Sequence, residues 1–279
     1  MAVRTWDGND ATTPYSWSVA GNWVEGSVPV NSDDVVIPAG SAKITAGLNQ
    51  SSVTLASLVF EDYDQNVGSS TGYLQIGFNS VSAEFRVDLL GGQQFIDVGS
   101  STVSPTVNQT GGAASGERAF NLIGSAIGAL VVNGGSVGVA VDASKSATVT
   151  TVKVLDGDVW LGENTTVTTV YATGGTIRQQ CASTTTEING ATVRTVGTGT
   201  IGTLNVYSGL ARPDSIGTIT TANLYGGTID ASLSKASRTI TTLNVLGQSS
   251  GDVRTDPDGV TISTLNLPTD RAFSFSVTS

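Results

Sequence analysis

The chain has 279 residues, with 13 Lys and Arg against 23 Asp and Glu, no His and one Cys. A net charge of −10 and a pI near 4.3 count against nucleic acid as a partner, and no cluster of Lys and Arg is visible along the sequence as a local exception. Lack of His excludes Ser-His-Asp, Cys-His and the usual zinc constellations, a lone Cys181 excludes an intrachain disulfide, and no apolar run is long enough for a transmembrane helix.

Charged residues make up 13% of the chain, about half the roughly 25% usual in soluble domains, while hydrophobic residues reach 39%. That hydrophobic share and its periodic placement predict a folded protein and not a disordered one. Thr and Val suit pleated surfaces, and the many Gly and Asn suit corners, so the fold class expected is all-β.

Taken in order, residues 1–40 hold three of the four tryptophans, Trp6, Trp17 and Trp23. After Asn22-Trp23 come Gly26, Pro29 and the run Asp33-Asp34-Val35-Val36-Ile37-Pro38, and then Ala56-Ser57-Leu58-Val59-Phe60. This order resembles the opening of bacterial and phage β-helix proteins of the autotransporter-associated repeat type, over roughly residues 5–60. The resemblance implies a parallel β-solenoid behind a Trp-rich N-terminal segment, and it carries no catalytic residues. The first residues, Met1 to Asp7, lack the pattern of a secretory signal, so export by the general route is not expected. A stack of coils ends in unpaired backbone groups and open core, so the expectation for Trp6, Trp17 and Trp23 is a cap or docking segment. A sugar-stacking platform is the alternative use of the same rings.

Residues 41–126 read as irregular early coils. Tyr73 to Phe78 and Phe85 to Leu89 alternate as half-buried strands do. Gly99 to Gly116, rich in Ser, Thr, Gly and Pro, reads as a loop or weak boundary.

Residues 127–279 carry a repeat. A phrase of aliphatic, two small polar, aliphatic or Ala, variable, aliphatic or Ala starts at Ile127, Val149, Val167, Ile188, Ile201, Ile219, Ile240 and Ile262. The spacings, 22, 18, 21, 13, 18, 21 and 22, suit one supersecondary unit per repeat. Helix is contradicted by Thr-Thr and Gly-Gly at nearly every turn. One coil of a single-stranded β-solenoid explains the phrase: in Ile240 to Val245, Leu243 and Val245 point inward, Asn244 points out, and a following Gly turns the corner. The 13-residue step from Ile188 predicts a missing corner or a truncated face. Asp142–Lys145, Leu210–Asp214 and Gly247–Asp258 read as excursions at one phase, decorating one side. The tail alternates through Phe273 and Phe275, which would close the last coil or pack on a neighbouring subunit.

Chemistry-bearing groups are sparse. Of the nearby carboxylate pairs, Asp33 with Asp34 sits on a strand and faces opposite sides, while Asp156 with Asp158 flanks Gly157 as turn formers do. Asp256 with Asp258 is the third pair. Asp7-Gly8-Asn9-Asp10 and Asp256-Pro257-Asp258-Gly259 cluster oxygens without matching a calcium loop. No catalytic, cofactor or metal site is therefore expected. The first functional reading is a non-enzymatic virion surface protein of a phage, a capsid decoration protein or a head or tail fibre. It would be a homotrimer or other symmetric oligomer, attached to a major capsid or other virion protein and free of membrane. A bacterial surface adhesin or matrix protein, and a spike that binds or depolymerises a host-surface glycan, stay open beside it.

Overall fold

The computed structural model describes residues 1–111, 117–232, 237–246, 252–255, 259–268 and 274–277; of 252, 255 and 274–277 it describes the backbone alone. The chain is all-β, with parallel strands stacked as a β-solenoid, and among the described residues the one helical turn is the 3-10 turn Ala20–Asn22. It divides into two compact units, Met1–Thr150 and Thr151–Ser279. The expected boundary between residues 126 and 127 instead falls inside a single strand, Phe120–Val132.

In the Met1–Thr150 unit, one face is a parallel ladder. It runs from Val3–Thr5 through Asp34–Pro38, Ser57–Tyr63, Glu84–Leu89 and Thr106–Gln109 to the end of Phe120–Val132. A second ladder joins Asn49–Leu55, Leu74–Phe78, Gln94–Asp97, the start of Phe120–Val132, and Ser136–Val139. Val35, Leu58, Phe85, Ile76, Ile96, Leu122 and Val137 from these strands are buried. Alternation on each strand puts them on the inner side, and stacking coils about 4.8 Å apart joins them into a continuous core. The segment read as a loop from Gly99 onward supplies the strand Thr106–Gln109, whose Val107 is buried between Val87 and Val132. Residues 112–116 of that segment lie outside the described residues. Asp142–Lys145 is a turn, closed by the Lys145 N–H on the Asp142 carbonyl at 2.9 Å.

In the Thr151–Ser279 unit the repeat phrase forms the first face. The registers Val167↔Ser183↔Ile201↔Ile219↔Ile240↔Ile262 give steps of 16, 18, 18, 21 and 22 residues. No coil is truncated. The phrase that pairs with Ile201 begins at Ser183, and Ile188 is its last inward residue and not its first. The 13-residue step arose because the inward positions of this coil carry hydroxyls. Ser183, Thr186 and Gln179 are buried together in a closed ring of hydrogen bonds. The Gln179 amide donates to Ser183 Oγ (3.0 Å), Ser183 to Thr186 Oγ1 (2.9 Å), and Thr186 back to Gln179 Oε1 (3.3 Å). Each polar atom of the ring thereby has a partner, which makes its burial tolerable.

The second face stacks Asp158–Leu161, Thr176–Gln179, the ends of Ala182–Thr195 and Ile201–Pro213, Thr228–Asp230, Asp252–Thr255 and Ser274–Val277. Its inner column is Val159, Ile177, Val193, Ala211, Ile229 and Val253, all buried. Leu210–Asp214, expected as an excursion, therefore lies on this face: four of its residues end the strand Ile201–Pro213. Residues 252–255 of the Gly247–Asp258 excursion are likewise strand, and the rest lies outside the described residues. Among the described residues no aligned row of loops remains. Corner glycines do meet expectation: Gly227 has φ +72°, and a Cβ there would stand 2.6 Å from the Gly209 carbonyl oxygen of the coil before it.

Candidate functional site

The tryptophans come together but not at the surface. Trp6 and Trp17 are edge-on to Trp23, with ring centroids 5.1 and 4.8 Å away and planes at 73° and 78°. All three are at most 2% exposed. The Trp6 indole N–H donates to the Ala42 carbonyl (2.6 Å) and that of Trp23 to the Trp17 carbonyl (2.9 Å), so the cluster is also pinned by its polar atoms. No ring face is free to stack on a sugar or on a partner, which removes the platform reading and leaves docking to other side chains of this segment. Met1, Val3, Tyr15, Val24 and Val30 are its exposed large apolar ones. Phe273 lies outside the described residues; Phe275 pairs with Val253 in the last strand of the second face, where its backbone alone is described.

Asp33 and Asp34 make separate contacts. Asp33 is buried and accepts from Arg4 Nε (2.9 Å) and from the N–H groups of Ala2 (3.1 Å) and Val30 (3.2 Å), while Asp34 accepts from Ser57 Oγ (2.7 Å). Burial opposes ionisation of Asp33 and is the largest single influence; the Arg4 side chain and the two backbone donors together outweigh it, so the carboxyl sits below its ordinary range. This ties the chain start to the strand Asp34–Pro38 and is structural. Asp10 accepts from the backbone N–H groups of Thr13 and Thr12, and Asp7 from that of Asn9, which accounts for both as turn formers. Among the described residues no group of three or more His, Cys, Asp or Glu could hold a metal ion. Cys181 is buried, and burial pushes its thiol up to about 12.

Two features of the Thr151–Ser279 unit were not visible along the sequence. On the first face, register aligns Thr169, Thr185, Thr203, Thr221, Thr242 and Thr264 in one outward column. Beside it runs an asparagine ladder. Asn223 Nδ2 donates to Asn205 Oδ1 (2.9 Å), Asn244 to Asn223 (2.8 Å), and Asn266 to Asn244 (2.7 Å). Tyr207 and Tyr225 stack alongside at 4.7 Å and 12°. The position read as variable in the phrase is thus the one that links coils by side chain.

On the second face, register assembles a row of guanidinium groups. Trp160, Arg178, Arg194 and Arg212 are successive partners, and Asp230, followed by Arg254, continues the row. The arginines are 16 and 18 residues apart in sequence, and register sets them on neighbouring coils. The expected absence of any basic cluster is therefore corrected: the clustering is a product of coil length and not of local sequence. Like charges one coil apart repel, and the face supplies partners two positions farther along. The Asp214 carboxylate accepts from Arg194 Nε (2.6 Å) and lies 4.0 Å from Arg212. Gln180 Oε1 accepts from the Trp160 indole (2.6 Å), and Arg178 lies over the Trp160 ring, 4.2 Å from its centroid. Asp230 lies 4.0 Å from Arg254. Register thus gathers three arginines, a tryptophan and their carboxylate and amide partners along one row of this face.

No family model, curated protein or solved structure matches the chain.

Proposed function

We propose that this chain is a structural, non-enzymatic surface protein of a phage particle, a capsid decoration protein or a head or tail fibre. It stands on the particle as a homotrimer or another symmetric oligomer, held by a major capsid or other virion protein. The observation that supports this most is the parallel pairing that runs from coil to coil within each unit, with local register shifts such as those at Ile188–Thr192 and Phe60–Tyr63. Backbone ladders, an apolar column and the asparagine ladder all repeat from coil to coil in the same direction. Such a stack has every interior coil bonded on both sides, and it resists local opening there in a way that suits exposure on an assembly more than turnover of a substrate. The resemblance of residues 5–60 to phage and bacterial β-helix proteins points the same way. In this reading, the exposed Val3, Tyr15, Val24 and Val30 around the buried tryptophans form the apolar docking contact.

Mass spectrometry of gradient-purified particles from the source culture tests this. The chain is expected in stoichiometric amount with the capsid proteins, and its absence from every purified particle overturns the proposal. Native mass spectrometry of the isolated chain is expected to show a symmetric oligomer.

A further inference from the structure

The arginine row has one step that the chain leaves open. Two positions beyond each row residue, the next coil offers a side chain to its predecessor. Gln180 reaches Trp160 and Asp214 reaches Arg194. The equivalent position for Arg178 is Val196, two residues beyond Arg194, and valine has nothing to offer a guanidinium. Among the described residues no carboxylate is within ion-pair distance of Arg178, and its Nε is buried without a hydrogen-bond partner. The step from Arg178 to Arg194 therefore has the two guanidinium groups of the step from Arg194 to Arg212, but lacks the carboxylate that stands there.

The same step is lined by groups of a second kind. Thr176 and Thr192 are register partners on the same outer face, two residues before Arg178 and Arg194. The Trp160 indole closes one end under Arg178, and half-exposed Val196 offers an apolar floor. A carboxylate between two guanidiniums, hydroxyls beside it and an apolar floor are complementary to an acidic sugar, with its carboxylate, ring hydroxyls and C–H face. Phosphate polymers fit less well. Asp214 and Asp230 stand along the row, and duplex DNA, with one charge per about 1.7 Å of axis against one per sugar ring in an acidic polysaccharide, is repelled more strongly by the net charge of −10.

We propose that the outer face at Arg178, Arg194 and Val196 is a binding site for the carboxylate of an acidic polysaccharide. The ligand carboxylate bridges Arg178 and Arg194 as Asp214 bridges Arg194 and Arg212, and neighbouring sugars run along the coils past Thr176 and Thr192. The inference stands apart from particle attachment, since it concerns the isolated chain.

Titration calorimetry with polygalacturonate at low ionic strength tests it, with dextran as the neutral polymer and duplex DNA as the phosphate polymer. The chain is expected to bind polygalacturonate, to lose that binding as salt is raised, and to ignore dextran. Arg178→Gln is expected to weaken binding about tenfold or more, the scale of a lost charge-assisted pair. Val196→Asp supplies the missing carboxylate from within and is expected to weaken binding as much, with an unchanged circular dichroism spectrum. Should Val196→Asp fail to fold, Arg178→Gln, an outer-face change, still decides. Absence of polygalacturonate binding, equal binding by wild type and Arg178→Gln, or a preference for duplex DNA each overturns the proposal. Detection of the chain in particles reads none of these outcomes, so the two proposals fail separately.

Discussion

At the scale of single residues, the core of the Thr151–Ser279 unit holds a polar cluster whose members satisfy one another. Ser183 and Thr186 of this ring occupy inward positions that the neighbouring coils fill with Val167, Ile201, Val170 and Leu204, and Gln179 lies between Leu161 and Thr195. Removing one hydroxyl leaves two buried partners unpaired, which costs more than the bond itself. Thr186→Val is thus expected to destabilise the unit by about 1–3 kcal/mol in urea unfolding, despite a near-identical shape. Replacing all three by Leu, Val and Val removes every orphan and is expected to restore stability to within about 1 kcal/mol of wild type or better. A single substitution as mild as the triple would show that the ring is not closed. The same residues explain a misreading at sequence level. With hydroxyls at inward positions, Ser183 to Ile188 does not look like the phrase it forms, and Ile188 was the first residue in the coil that did.

At the scale of the strand, alternation alone was enough to identify inward and outward sides, since Leu243 and Val245 are buried and Asn244 is not. Partners across coils were harder to read, because register depends on the length of the intervening corner. Coils of 18 to 22 residues bring Asn205, Asn223, Asn244 and Asn266 into one line, although no window of sequence shows them together. Within that line the members are unequal. Asn223 donates to Asn205 and accepts from Asn244, whereas Asn266 makes its one ladder bond to Asn244. Asn223→Ala should therefore lose two bonds, about 1–2 kcal/mol at the usual net value, and Asn266→Ala one, about 0.5–1 kcal/mol. Urea midpoints of the two variants check the ratio. Equal losses would mean the ladder decorates the coils without linking them.

For the whole molecule, composition and repeat length were sufficient for the fold class, because few architectures join low charge, abundant Thr, Val and Gly, and a period near twenty residues. The surfaces were not legible in the same way. Tryptophans crowded into forty residues suggested a cap or docking segment, with an exposed sugar platform as the alternative; rings of that size have much to gain from mutual burial, and they close on one another. Arginines scattered along an acidic chain suggested nothing, yet stacking lines them up. Each unit also carries a reporter of its own integrity: Trp6, Trp17 and Trp23 in the first, Cys181 in the second. Cys181 is the sharper one, because its reactivity depends on the thiolate. Burial holds the thiol near 12, so the folded chain is neutral there at pH 8, where an exposed cysteine near 8.5 is already partly ionised. Iodoacetamide at pH 8 is expected to leave Cys181 unmodified for hours in buffer and to label it within minutes in denaturant. The labelling rate at intermediate denaturant then reads the opening of the coils around it. Rapid labelling in buffer would mean that the column of the Thr151–Ser279 unit opens under native conditions, and with it the arginine face that the column holds in register.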